Sequence, residues 1–194
     1  MSVQLGLTAE CCKLTAFLVL GPESSGTRLV TRLLVAAGCA GTDAHHQWWD
    51  REAPTAERIV WRRSVPHGGR WPDVERMVWD LREAGYAVRA VVTTRDWFPA
   101  AMSQNGQHVR SLEQAYANLK RALPIILAHL QEAGVDYELV SYEGLVARPR
   151  QMVAWLTGRL GLPMPGQIEE IVDGNEKWWG KQQPAVSDQL PARN

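Results

Sequence analysis

Gly21-Pro22-Glu23-Ser24-Ser25-Gly26-Thr27-Arg28 gathers in one short stretch the groups that hold a phosphate or a sulfate. Its glycines let the backbone curl around an anion, Ser24, Ser25 and Thr27 offer hydroxyl donors, and Arg28 adds a full positive charge. Such a segment works best where a strand passes into a helix, because the first helical turn leaves N–H groups unpaired and its dipole favours negative charge. The flanking residues put it there. Leu14 to Leu20 is the apolar run of a short buried strand, and Leu29, Val30, Leu33, Leu34 and Ala37 share one helical face before Gly38 supplies a stop signal. The plainer alternative is a tight turn with Ser24 or Ser25 as the helix N-cap.

The spelling of the loop narrows its chemistry. A nucleoside-triphosphate loop requires G-x-x-x-x-G-K-[ST], with lysine on the β and γ phosphates and the next hydroxyl on magnesium. Here Thr27-Arg28 stands in place of that pair, so the metal-holding hydroxyl is missing from its usual position. Further along the chain, Arg95 ends a predicted strand and Ser103 lies two helical turns beyond it, close enough for both to meet one phosphate. Arg62 to His67 and Tyr142-Glu143 close two other predicted strands.

These groups need a frame that brings strand ends together. The hydrophobic pattern predicts strands over Leu14–Leu20, Arg58–Arg63, Ala87–Thr94 and Asp136–Ser141. Helices are predicted after Gly26, over Pro72–Leu81 (stripe Val74, Met77, Val78, Leu81), from Asp96, over Ser111–Ala133 and over Pro149–Leu160, with Pro124 expected to kink or divide the longest. Strands alternating with helices imply right-handed crossovers and a mainly parallel sheet covered on both faces, an α/β three-layer sandwich. Ligands of such sheets collect at the carboxyl ends of the strands. Asp43 to Thr55 lacks a period and is expected to be a surface loop, and the tail from Gly174 to Asn194 is expected to be irregular and loosely docked.

At 194 residues and 45% apolar content the chain suits a single domain spanning residues 1–194, with its core over about 14–163. Twenty-one basic residues balance twenty-one acidic ones, so no global field draws it to nucleic acid, and any positive site must be local. No apolar run approaches a membrane span and the first residues show no signal pattern, which points to a cytoplasmic protein. Cys11, Cys12 and Cys39 fit neither a disulfide framework nor a zinc site and are expected to be buried or semi-buried thiols. The paired tryptophans Trp48-Trp49 and Trp178-Trp179 could pack on the domain surface or line a flat acceptor site.

In order and spelling these islands resemble the sulfotransferases that use 3′-phosphoadenosine-5′-phosphosulfate (PAPS). Gly21 to Arg28 resembles that family's 5′-phosphosulfate loop, in the form of its glycosaminoglycan-modifying branch. Arg95 and Ser103 resemble its 3′-phosphate pair, and Ser141-Tyr142-Glu143-Gly144-Leu145 through Pro149, then Leu160-Gly161-Leu162-Pro163, resembles its Y-E-D-L…P…L-G-L-P segment. The resemblance implies a P-loop NTPase-like sulfotransferase fold and transfer of a sulfuryl group from PAPS to a hydroxyl or amine, with a saccharide as one acceptor class and no metal. It implies cofactor contacts from Gly21, Ser24, Ser25, Gly26, Thr27, Arg28, Arg95, Ser103 and Tyr142, the last on the adenine side. Two departures stand out. Ser24 occupies the place of a catalytic lysine, leaving Arg28, Arg62 or Lys181 as the substitute cation; Ser64 occupies that of a histidine base, leaving His67 as the nearest imidazole, with His45 and His46 weaker candidates. A P-loop small-molecule kinase, with Asp96 for its magnesium, and a non-catalytic PAPS- or anion-binding module are the competing readings.

Overall fold

The computed structural model describes residues 14–43, 56–108 and 111–179. Four strands, β1 (Thr15–Gly21), β2 (Arg58–Ser64), β3 (Ala87–Thr94) and β4 (Tyr137–Ser141), form one sheet in the order β2-β1-β3-β4. Every pairing is parallel, with Gly21 opposite Ser64 and Thr94 opposite Ser141 at the carboxyl edge. Between and after the strands come α1 (Thr27–Ala36), α2 (Val74–Glu83), α3 (Trp97–His108), α4 (Leu112–Glu132), α5 (Tyr142–Ala147), α6 (Pro149–Leu160) and α7 (Glu176–Trp179).

Alternation along β1 splits the core into two layers. Ala16, Leu18 and Leu20 pack with Val78 and Leu81 of α2 and Ile126 and Leu130 of α4. Phe17 and Val19 face the other way, toward Val30 and Leu34 of α1 and Val153 and Leu156 of α6. Side chains buried this completely contribute roughly 1.5–3 kcal/mol each, which fixes strand register and hence the positions of the strand ends. The expected α/β three-layer sandwich is what forms, with an all-parallel sheet. Among the described residues no helix is long and apolar enough to cross a membrane. Cys39 is buried, and burial pushes its thiol up to about 11. Cys11, Cys12, His45, His46 and the Trp48-Trp49 pair lie outside the described residues.

Four local expectations change. Gly26, not Ser24 or Ser25, caps α1, with φ 96° and no side-chain bond. Asp73 rather than Pro72 starts α2, its carboxylate accepting from Arg76 N at 2.8 Å. α4 runs undivided through Pro124, because Ala115, Leu119, Ala122, Ile126 and Leu130 keep one buried face on both sides of it and so offset the roughly 3 kcal/mol a helical proline costs. The tail is docked rather than loose at its start: Asn175 is 1% exposed and Trp178 of α7 lies against Gly106 of α3.

Candidate active site

The carboxyl edge of the sheet opens into a cavity of about 680 Å³ lined by Glu23, Ser24, Gly26, Thr27, Arg28, Arg62, Ser64, His67, Gly68, Arg95 and Ser103. Three chain segments meet here: the loop after β1, the end of β2 with its following turn, and the end of β3 with α3. Of the candidates read from the sequence, Ser24, Gly26, Thr27, Arg28, Arg62, His67, Arg95 and Ser103 are brought together around this one space.

The loop is held in an unusual shape. Ser24 has φ 66°, and among the described residues no other non-glycine residue has a positive φ. A left-handed serine costs energy that the surroundings must offset, and such residues concentrate at functional sites. Arg95 supplies part of the offset: its Nη1 donates to the Ser24 carbonyl at 2.8 Å. Gln104 Nε2 donates to the Glu23 carbonyl at 2.9 Å, fastening the loop to α3. The Ser24 hydroxyl oxygen and Gln104 Oε1 are nevertheless buried with no hydrogen-bond partner among the described residues. The Ser24 hydroxyl can donate to an anion bound at the loop, whereas Gln104 Oε1, an acceptor, would need a donor such as water.

Gly21, Ser25 and Tyr142 stand behind the cavity wall rather than on it. A Cβ on Gly21 would collide with the Thr93 hydroxyl, so glycine lets β1 close against β3. The Ser25 hydroxyl is bonded to Thr93 Oγ1 at 2.6 Å, and Thr93 Oγ1 in turn donates to Leu20 O at 3.3 Å. Tyr142 presses its ring on Gly26, where a Cβ would come within 2.9 Å of Cδ2, and the same ring carries the Arg95 guanidinium 4.4 Å from its centre. Lys181 lies outside the described residues.

Half-buried Arg95 and buried Arg62 differ in how they are held. Arg95 is clamped, with Nε donating to Asn175 Oδ1 at 2.8 Å and Nη1 to the loop. Asn175 Nδ2 donates to Glu143 Oε1 at 3.3 Å, and the same oxygen accepts from Asp96 N at 2.9 Å. Burial lowers the Arg95 pKa, opposed by the charges of Tyr142, Glu143, Asp173 and Asp96. Arg62, 6% exposed on β2, is lowered by burial first and then by the like charges of Arg28 and Arg63, against Asp43. Both guanidiniums remain charged near neutral pH, so the cavity concentrates positive potential in a low-dielectric wall. Arg28 is exposed and pairs with Asp43 at 3.4 Å.

Three participants have no role assigned by sequence pattern. Asn175 is hidden in a tail without periodicity, and Gln104 in a helix whose polar residues look solvent-facing. Glu23 had a signal: an acid inside a loop built for anions should be repelled by its ligand, and its presence demands a reason. Its carboxylate is 3% exposed and Oε1 accepts from Gly68 N at 2.7 Å. Asp96, the acid a kinase reading needs, turns Oδ1 to Phe98 N at 2.8 Å, at the start of α3. Glu75, His129 and Glu132 each bring a ligand atom within 4.8 Å of the others, on α2 and α4 rather than at the loop.

No family model matches the sequence and no curated protein matches it. Among solved structures, the chain is similar to the sulfotransferase domain from the Synechococcus PCC 7002 olefin synthase, at 14% identity over 82% of this chain and 74% of that one, with TM-score 0.47. It is also similar to the sulfotransferase domain from the curacin biosynthetic pathway, at 12% identity over 85% of this chain and 86% of that one, with TM-score 0.49.

Proposed function

We propose that this protein is a sulfotransferase that moves a sulfuryl group from PAPS to a hydroxyl or amine. One observation carries the reading: the loop after β1 and the Arg95–Ser103 pair after β3, far apart in sequence and each shaped for an anion, line a single cavity at the carboxyl edge of a parallel sheet. Two anionic groups on one nucleotide fit two anion subsites on one cavity. The loop N–H groups at the start of α1, the Ser24 hydroxyl, Thr27 and Arg28 would hold the 5′-phosphosulfate; Arg95 and Ser103 would hold the 3′-phosphate. The donor supplies an activated sulfur–oxygen bond, and the protein supplies positive charge for the leaving phosphate. Arg62 takes the part of the absent lysine, because it is buried and faces the cavity, whereas Arg28 is exposed and paired with Asp43. A saccharide hydroxyl is the first acceptor to test.

Thermal melting with adenosine 3′,5′-bisphosphate against ATP and magnesium separates this reading from a kinase, since a ligand at 100 times its Kd stabilises by about 2.7 kcal/mol. Stabilisation by the bisphosphate and not by ATP with magnesium is expected. The opposite preference overturns the donor assignment. Bisphosphate stabilisation without sulfate transfer from labelled PAPS to a panel of sugars, phenols and amines would make the protein a binding module instead.

A further inference from the structure

We infer that Glu23 is the base that takes the acceptor's proton, an assignment that rests on the sulfotransferase reading of the same cavity. A carboxylate cannot be a ligand for a phosphosulfate, yet Glu23 is almost fully buried within a wall that also holds Arg28, Arg62 and Arg95. Its place follows from the strand register. Gly21 lies opposite Ser64, so Glu23, two residues on, meets the turn after β2, where Gly68 N fixes Oε1 at 2.7 Å. Its main chain is fixed too, by Gln104 on the other side. The carboxylate is therefore turned to the wall formed by Ser64, His67 and Gly68, and the chain leaves Arg95 and Ser103 for the second phosphate.

This arrangement answers the absence of a base at the end of β2. Ser64 faces the cavity there and its hydroxyl is not a base, whereas the neighbouring carboxylate is pinned by Gly68 N. His67 lines the same cavity but is only half-buried, and its main chain is occupied by paired bonds to Arg70. In the step, the acceptor oxygen or nitrogen bonds to sulfur as the sulfur–oxygen bond to the 5′-phosphate breaks. The acceptor's proton passes to the Glu23 carboxylate, and the electron pair of the broken bond leaves on the phosphate oxygen, with Arg62 as the buried counter-charge. Glu23 afterwards releases the proton to water. A fixed carboxylate also selects the acceptor: it admits an alcohol or an amine and repels a nucleophile that is itself a phosphate or carboxylate.

Glu23→Gln tests this without disturbing the turn, because the amide oxygen still accepts from Gly68 N. The probe is PAPS with water as acceptor, followed by release of adenosine 3′,5′-bisphosphate, with melting in the bisphosphate as the binding readout. Turnover of E23Q should fall by about 100-fold or more, the range for loss of a positioned base. Bisphosphate stabilisation should be equal or larger, since a negative charge has left an anion site; a purely structural role would lower it. His67→Asn, the competing assignment, should lose much less turnover than E23Q. If E23Q keeps its turnover, or if H67N suffers the large loss, Glu23 is not the base while donor binding stands. A wild type that binds the bisphosphate but never consumes PAPS likewise removes Glu23 as the base and leaves donor binding intact. A wild type that ignores the bisphosphate overturns the donor reading itself. Should E23Q fail to fold, Glu23→Asp keeps the charge at shorter reach and should bind the bisphosphate normally with at least a tenfold loss of turnover; full turnover in E23D overturns the assignment.

Discussion

The groove between α2 and α4 is larger than the loop cavity, about 830 Å³ against about 680 Å³, and it adds two tryptophans to an equal number of arginines. Its charged groups nonetheless answer one another. Arg76 bonds Asp80 at 2.7 Å and lies 4.0 Å from the Trp79 ring centre, Arg82 donates to Ala133 O, His129 meets Glu75, and Arg121 stands over Trp71. In the loop cavity Glu23 and Arg62 are buried instead, Arg95 is half-buried, and the Ser24 hydroxyl has no hydrogen-bond partner among the described residues. Burying charge costs far more than leaving it at a surface, so the smaller space is where the fold has accepted a cost that packing alone does not explain.

Replacing Arg62 should break the contrast most sharply. Arg62→Met keeps the stem's bulk and removes the charge, so turnover of PAPS should drop by about 10²–10³, the scale for losing one donor to a developing anion. Stability should change far less than the rate, because relief of a buried charge offsets the contacts that Arg62 gives up. Single-turnover kinetics beside a melting curve reads both. Parallel losses in rate and stability would mean that Arg62 is a structural ion.

Arg95 should show a different signature, since it serves the frame as well as the site. Arg95→Ala removes bonds to the Ser24 carbonyl and to Asn175. Charge-assisted bonds are worth roughly 1.5–3 kcal/mol, so the bisphosphate Kd should rise about 10- to 100-fold and the melting temperature should fall together with it. Asn175→Ala leaves the guanidinium present but unpinned. It should weaken the bisphosphate less than about tenfold, measured by calorimetry, and a loss as large as that of R95A would place Asn175 itself among the ligands.

The strand ends were legible because their causes are local and periodic. Apolar runs such as Phe17-Leu18-Val19-Leu20 and the stripe Val74, Met77, Val78, Leu81 name their elements, and Gly21 to Arg28 marks a candidate anion loop from residue type and its place between strand and helix. Arg95 and Ser103 were legible only as a spacing, which became a place when β3 and α3 brought both to the cavity wall. Tyr142 was legible as part of a motif, but its burial behind Gly26 depends on the segment around Gly174, whose N–H donates to the Tyr142 hydroxyl at 2.7 Å. No periodicity announces a contact between residue 142 and residue 174. Asn175 was opaque for the same reason, and Glu23, odd as an acid in such a loop, did not show what it meets: a polar residue's role is set by what lies across the fold from it, and that information is long-range.

The smallest effects are expected in the groove, and they sharpen the contrast by being small. Asp80 forms an i,i+4 pair with Arg76 on the outer face of α2, where Arg76 is 61% exposed. Exposed pairs of this geometry contribute about 0.3–0.5 kcal/mol, so Asp80→Asn should shift the melting curve barely and less in high salt. Trp79→Ala removes the stacking of Arg76 and should cost up to about 1 kcal/mol, since the ring is itself 45% exposed. Neither change reaches a residue of the loop cavity, so both variants should be stabilised by adenosine 3′,5′-bisphosphate to the wild-type extent. If either loses that stabilisation, the two regions are coupled, and the groove must be counted as part of the donor or acceptor site despite its paired and exposed charges.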